Sequence, residues 1–273
     1  MSEEQQKPIV VRNLVKKFGD QVVLDDLNFY VNKGEILVIM GGSGCGKSTL
    51  LRLLIGAMRP TSGIIEMLGT DIARLDEEEL DALRKKTGIL FQSGALFNSL
   101  TVGENIALPL KEHTRLSPDV IGIMVKMKLE MVGLRDFEHL KPAEISGGMK
   151  KRVGLARAMA LDPRIMFYDE PSAGLDPIAS AMIDELMMDL NIKTGVTSIV
   201  VTHDMGSAFK IAHRMILLFR GRAVAVGTPA EIRASKDPLV QQFINGLADG
   251  PIPLRVSRKD YAQDLLEPFL ERF

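Results

Sequence analysis

Short runs of consecutive apolar residues alternate with stretches in which apolar positions recur every three or four residues. Ile9–Val11, Val22–Leu24 and Asn28–Val31 read as early strands. Ile36–Met40 is apolar without interruption, the pattern of a strand buried on both faces. A helix is predicted from Lys47, with Leu50, Leu51, Leu54 and Ile55 on its inner side, ending before Pro60. Asp76 is placed to cap a second helix. Glu77, Glu78 and Glu79 fill its first turn and Arg84, Lys85 and Lys86 its last, the order that the helix dipole favours. Gly88–Phe91 reads as another buried strand.

From about 98 to 145 the pattern is helical only. Thr101 and Glu104 have capping-box spacing. Ser117–Pro118 supplies an N-cap followed by Pro at the first helical position, and Gly133 a stop after Val132. Strands return at Ile165–Tyr168 and Thr197–Thr202, and Met215–Phe219 and Ala223–Val226 flank Arg220–Arg222 as a hairpin. Strands alternating with helices predict an α/β protein whose mostly parallel sheet is covered on both faces. The all-helical middle predicts an inserted subdomain. Gly250–Pro253 reads as a stiff linker before a short helix capped by Ser257 or Asp260 and carrying Tyr261, Leu265, Leu266, Phe269 and Phe273.

Composition narrows the classes further. Lys+Arg 34 against Asp+Glu 35 leaves a net charge of -1 over 273 residues, so a general nucleic-acid binder is not expected. The single cysteine allows no internal disulfide, which fits a reducing compartment. Met1–Pro8 is polar and does not read as a signal peptide. No run approaches the ~18 apolar residues of a membrane span, so any membrane service requires a separate membrane-crossing chain.

Three motifs carry chemistry. Gly41, Gly42, Ser43, Gly44, Cys45, Gly46, Lys47 and Ser48 fit G-x-x-x-x-G-K-[ST] between a buried strand and a helix, the context that gives the motif its meaning. Glycines let successive N–H groups turn inward as an anion nest, and the helix start adds its positive dipole end. Lys47 is assigned to the β- and γ-phosphates, Ser48 to Mg²⁺ and Thr49 to the α-phosphate. Asp169 and Glu170 follow a buried strand. Asp169 suits Mg²⁺, which prefers oxygen ligands. Glu170 is set to polarise an attacking water, acting mainly by positioning because a free carboxylate is a weak base. Ser146, Gly147 and Gly148 head another helix whose start exposes N–H groups to an anion. One chain with two phosphate-seeking helix ends predicts two copies meeting head to tail around two ATP molecules.

With these residues in hand the sequence resembles the ATPases of ATP-binding-cassette transporters, over about residues 9–246. The resemblance implies a P-loop NTPase: a mostly parallel sheet core, an N-terminal antiparallel β subdomain and a helical insert, followed by a docking tail at 247–273. Gly41–Ser48 is similar to Walker A, Ile165–Glu170 to Walker B, and Ser146–Gly148 to the family signature. Gln92 is similar to the Q-loop glutamine that senses Mg²⁺ and links to the membrane partner. Asp176 matches the D-loop residue at the dimer seam, His203 the switch histidine at the γ-phosphate, and Phe18 the aromatic that stacks on adenine. Met149 stands where the signature usually has Gln, so that contact is lost. Phe91–Phe97, Pro109–Thr114 and Met127–Glu130 further resemble the ATPases of bacterial phospholipid transporters that maintain lipid asymmetry. That implies ATP and Mg²⁺ as cofactors, and work at the cytoplasmic face of the inner membrane. The implied partners are a second copy, an integral-membrane permease, a small STAS-domain protein and a periplasmic lipid-binding subunit. Another transport substrate is the alternative. A soluble P-loop kinase would account for Gly41–Ser48 but not for Ser146–Gly148 together with Asp176 and His203.

Other residues have plainer readings. His113, His139 and His213 are expected to be bystanders. Cys45 is expected to be a spectator, sensitive to oxidation only if the positive nest lowers its pKa. Met124, Met127 and Met131 share a helix face, read as core packing in preference to an adaptable docking groove.

Overall fold

Two sheets organise residues 7–252, the part that the computed structural model describes. The chain runs β1 (Ile9–Phe18), β2 (Gln21–Val31), β3 (Ile36–Gly41), α1 (Lys47–Leu54), β4 (Ser62–Met67), β5 (Thr70–Asp71), α2 (Glu77–Arg84) and β6 (Thr87–Leu90). The helical stretch holds α3 (Val102–His113), α4 (Pro118–Met131), a 3₁₀ turn at Pro142–Glu144 and α5 (Gly147–Ala158). Then come β7 (Ile165–Asp169), α6 (Pro177–Thr194), β8 (Thr197–Val201), α7 (Met205–Ile211), β9 (Arg214–Phe219), β10 (Arg222–Gly227), α8 (Pro229–Ala234) and α9 (Pro238–Asn245). The described residues form two compact units that divide after Ile232.

The larger sheet has the order β10-β9-β3-β8-β7-β6. Its five inner and far strands run parallel, and β10 closes one edge antiparallel to β9. Every residue of β3 and β8 is buried, as the unbroken apolar run Ile36–Met40 predicts for β3; β8 buries Thr197 and Ser198 as well. Alternate positions of this sheet, including Leu37, Ile39, Phe167, Val201 and Ile216, share one apolar cluster with Leu50, Leu51, Leu53 and Leu54 of α1. The antiparallel sheet β2-β1-β4-β5 adds Ile9, Leu14, Leu27 and Val31 to the same cluster. The core therefore sits between the two sheets and α1, directly beneath the glycine loop.

Local chemistry sets the boundaries. Thr101 and Glu104 form the predicted capping box, and Asp76, predicted as an N-cap, also pairs with Glu79 as a full box. Ser117 makes no side-chain capping bond, although Pro118 opens α4 as expected. Val22–Leu24 and Asn28–Val31 are one strand rather than two. The polar gap between them is a bulge: Asp26 takes a left-handed φ of 50°, and its carboxylate accepts from Asn13 at 3.1 Å and Asn28 at 3.0 Å. β4 and β5 have no counterpart in the sequence reading. They are joined at Leu68 and Gly69, both with positive φ, as a two-residue hairpin requires.

The methionine stripe corrects an expectation. Met127 is 60% exposed and Met124 and Met131 are half-buried, while α4 buries Ile121, Val125 and Leu129. The stripe is not core. In the second unit, Asp237 caps α9 by accepting from the Leu239 N–H at 2.8 Å. The Gln242 side chain both donates to the Ile252 carbonyl at 3.0 Å and accepts its N–H at 2.7 Å, which ties the start of the expected linker to α9. Pro253 and the expected helix after it lie outside the described residues.

Gly88 in β6 has no room for a side chain. A Cβ there would lie 2.3 Å from the Ala158 carbonyl oxygen and 2.4 Å from the Met166 sulfur. Gly88→Ala is therefore expected to lower unfolding stability by about 1–3 kcal/mol, read as a lower midpoint in urea denaturation at unchanged slope.

Candidate functional site

The parallel strands deliver the sequence-predicted residues to one edge of the sheet. β3 ends at Gly41, β7 at Asp169 and β8 at Val201, and the register pairs Ile39 and Asp169 with the same Val201. Clefts outside the carboxyl ends of such strands are where open α/β sheets bind ligands.

The glycine loop spans Gly41 to Gly46 and α1 begins at Lys47. Gly46 is the N-cap, with φ of 105°, and a Cβ on it would meet Leu24 at 2.6 Å. This keeps β2 tight against the loop. The Lys47 ammonium donates to the Gly41 carbonyl at 2.7 Å and the Gly42 carbonyl at 3.0 Å. It thus lies folded over the glycine loop. Ser43, Gly44 and Ser48 are exposed, and Thr49 is half-buried. Cys45 is buried, and that burial raises its thiol pKa against the pull of Lys47. The conditional expectation of a reactive thiolate is thus reversed: Cys45 is a neutral packing group.

Phe18 ends β1 opposite Gln21, in the hairpin that carries β2 past the loop. Its ring is 47% exposed, with the Lys16 ammonium 4.9 Å from its centroid. A half-exposed aromatic ring suits stacking on a planar base.

Asp169 and Glu170 stand side by side. Burial raises the Asp169 carboxyl pKa, and the Glu170 charge adds to the rise, against Arg52, Lys151 and Lys47. Glu170 has a left-handed φ of 48°. Its carboxylate meets His203 Nδ1 at 2.8 Å and accepts the His203 backbone N–H at 3.3 Å. His203 is held from both sides: Asp204 donates its N–H to the Thr202 hydroxyl at 3.0 Å and caps α7 through Ser207. Gln92 is exposed on the loop that follows β6, the strand beside β7. The oxygen donors of Ser48, Asp169 and Gln92 fit a hard divalent cation. Among the described residues no three His, Cys, Asp or Glu gather as a cation cage. A cation here would take its remaining ligands from phosphate and water, as Mg²⁺ commonly does.

Ser146, Gly147 and Gly148 are elsewhere. They line a pocket of about 400 Å³ with Gly174, Leu175 and Asp176, and no residue of the glycine loop borders it. Ser146 caps α5 by accepting the Met149 N–H at 3.2 Å. Asp176 caps α6, accepting from Ile178 at 2.9 Å and Ala179 at 3.0 Å. The signature-like residues and Asp176 therefore share a pocket that the glycine loop does not border.

His213 is structural: its Nδ1 accepts the Ile36 N–H at 3.0 Å. Two cations of α5 escaped the sequence reading. Lys151 reaches the Glu170 carbonyl at 3.2 Å. Arg157 reaches the Ala95 and Gly94 carbonyls at 2.7 Å and 2.9 Å. Only their unusual burial would have flagged them, and Lys150–Arg152 reads in sequence as a solvated charge run.

Known proteins place this geometry. The ABC transporter family matches residues 24–173. The chain is 45% identical over 262 residues to the intermembrane phospholipid transport system ATP-binding protein MlaF of Haemophilus influenzae, covering 96% of this chain and 99% of that one. It is 43% identical to a probable ribonucleotide transport ATP-binding protein of Mycobacterium leprae, covering 89% of this chain and 70% of that one. Among solved structures it resembles the dimeric ATP-binding cassette MJ0796 in a post-hydrolysis state bound to ADP and Pi, with TM-score 0.74, 33% identity, and 81% and 98% coverage.

The raised Asp169 pKa makes a stability prediction. A carboxyl whose native pKa exceeds its ordinary 3.8 costs stability; the cost is absent below 3.8, grows as pH rises from there to the native value, and is full above it. Asp169→Asn is therefore expected to raise the nucleotide-free melting temperature by a few degrees at pH 7. The gain should shrink as pH approaches 4. Equal melting temperatures for both proteins at pH 7 would contradict the charge crowding.

Proposed function

The chain belongs to the ABC transporter family, and from that premise we propose that it is the ATP-hydrolysing subunit of a transporter moving phospholipid between the inner and outer membranes. As a family member it binds and hydrolyses ATP. The phospholipid reading is carried by the near end-to-end likeness to the Haemophilus influenzae protein. The mycobacterial ribonucleotide protein extends well beyond the region shared with this chain.

The chemistry is ATP + H₂O to ADP + phosphate. The nest and Lys47 bind the phosphates, and the open face of Phe18 stacks on adenine. Ser48, Asp169 and Gln92 would hold Mg²⁺, whose charge, when bound, offsets that of the phosphate oxygens. Glu170 orients the attacking water and accepts its proton late. His203, bonded to Glu170 in the resting protein, turns to the γ-phosphate. Ser146, Gly147 and Gly148 close on the γ-phosphate held by a second copy, with Asp176 at the seam. Exposed Ile178 and Met182 flank that pocket, as a partner-facing surface would. ATP binding closes the pair and hydrolysis reopens it.

A second surface supports an integral-membrane permease as partner. A cavity of about 660 Å³ opens between Arg84, Phe91, Phe97, Pro109, His113 and Arg157, next to the Gln92 loop. A helix from the permease fits an apolar cleft of this kind. No described helix is long and apolar enough to cross a membrane. The family likeness supports attachment through the permease at the cytoplasmic face of the inner membrane. A small STAS-domain protein and a periplasmic lipid-binding subunit complete the proposed assembly.

Glu170→Gln is expected to bind Mg-ATP and accumulate as a closed dimer without turnover, measured by size-exclusion chromatography alongside phosphate release. Brisk hydrolysis by that variant would remove Glu170 from its role. Lys47→Ala is expected to weaken ATP binding roughly 10- to 150-fold, the range of 1.5–3 kcal/mol for a bond to a charged group. The substrate is tested by affinity recovery of the complex from membranes. The permease, the STAS-domain protein and bound phospholipid are expected. A permease recovered with a subunit for a polar solute would assign the same motor to another cargo.

A further inference from the structure

Lys151 is the fifth residue of α5, in a run of three cations, yet only 4% of it is exposed. A long charged side chain is rarely buried so far without a compensating partner. Its ammonium donates to the Glu170 carbonyl at 3.2 Å. Burial pulls its pKa down, and the nearby charges of Asp169 and Glu170 oppose that fall.

Glu170 is a particular acceptor. Its left-handed backbone is unfavourable for a side chain with a Cβ and persists only where the surroundings hold it. Its N–H donates to Val201 at 2.9 Å, and its carbonyl also accepts the Ala173 N–H at 3.1 Å. Lys151 is the group that reaches this peptide from another element of the helical region. The far end of the same helix is strapped by Arg157 to Gly94 and Ala95, in the loop that carries Gln92. One helix therefore joins Ser146 at its start, the Glu170 peptide at its middle and the Gln92 loop at its end.

We propose that Lys151 is a positioning residue for hydrolysis, fixing the Glu170 peptide from the helix that Ser146 heads. When that helix seats on the nucleotide of a neighbouring copy, Lys151 passes the seating to the carboxylate of its own chain. This rests on the reading of Glu170 as the residue that orients water. A tether on a backbone carbonyl sets where the carboxylate points and leaves the phosphate grip untouched. Its loss should therefore fall on kcat rather than KM.

The test compares wild type, Lys151→Met, Lys151→Arg and Glu170→Gln as full-length chains recovered with their membrane partners. Methionine keeps the length and burial but removes the donor. Lys151→Met is expected to lower kcat at least about tenfold, with KM for ATP within about twofold and no fall in melting temperature. Lys151→Arg is expected to restore most of the rate. A Lys151→Met kcat within twofold of wild type overturns the proposal, as does a loss that arginine does not relieve or that follows a lowered melting temperature. Turnover by Glu170→Gln at the wild-type rate would instead overturn the reading of Glu170.

Discussion

Two carboxylates at the end of a buried strand are the constraint around which this molecule is built. Asp169 and Glu170 are neighbours in sequence, and the raised pKa of Asp169 records both its desolvation and the charge beside it. Like charges held close in a partly dry site are unfavourable. The fold surrounds them with Lys47, Arg52 and Lys151, none of which makes a direct ion pair with Asp169 among the described residues. The result is an unspent negative field next to an anion nest. Under the proposed roles a magnesium nucleotide would satisfy both at once, its cation meeting Asp169 and its phosphates the nest. Neither half of that ligand would suit the site alone.

The same constraint explains why some of the molecule was legible in sequence. The glycine loop, its flanking strand and helix, and the two acidic residues are contiguous motifs whose spacing is their chemistry. Capping boxes at Asp76 and Thr101 could be read for the same reason, since both partners lie within one turn. Features that depend on distant partners could not. The Asp25–Asp26 gap in β2 looks like a break until Asn13 and Asn28 are seen to satisfy Asp26. β4 contains a glycine and pairs with a strand about fifty residues earlier, so neither propensity nor alternation announces it. The methionines of α4 share a face, but a periodic face does not say whether the protein or a partner covers it. Lys151 is the sharpest case: three adjacent cations are indistinguishable until one of them is found buried.

Splitting the nucleotide machinery has a mechanical consequence. Ser146, Gly147, Gly148 and Asp176 sit together in one pocket, and Glu170 and His203 in the other group. Asp176 caps the helix that carries Ile178 and Met182, both well exposed. A second copy that covered these apolar side chains would therefore also bring the Ser146 helix end to bear on phosphate. Hydrophobic burial and charge neutralisation would then favour the same closed arrangement, and releasing phosphate removes only the second. In the proposed cycle that difference would let hydrolysis reopen the pair.

Nucleotide discrimination follows from where Lys47 rests. Its ammonium is held by the Gly41 and Gly42 carbonyls, so the loop's own backbone fixes it over the nest. A preorganised cradle grips di- and triphosphate alike, and cannot by itself distinguish fuel from product. The distinction has to come from groups that reach only the terminal phosphate. Under the proposed roles His203 is such a group, and its Nδ1 lies 2.8 Å from the Glu170 carboxylate. A γ-phosphate that drew the imidazole away would then free the carboxylate to orient water. The His203–Glu170 contact would thereby couple recognition of the terminal phosphate to the group proposed to position the nucleophile.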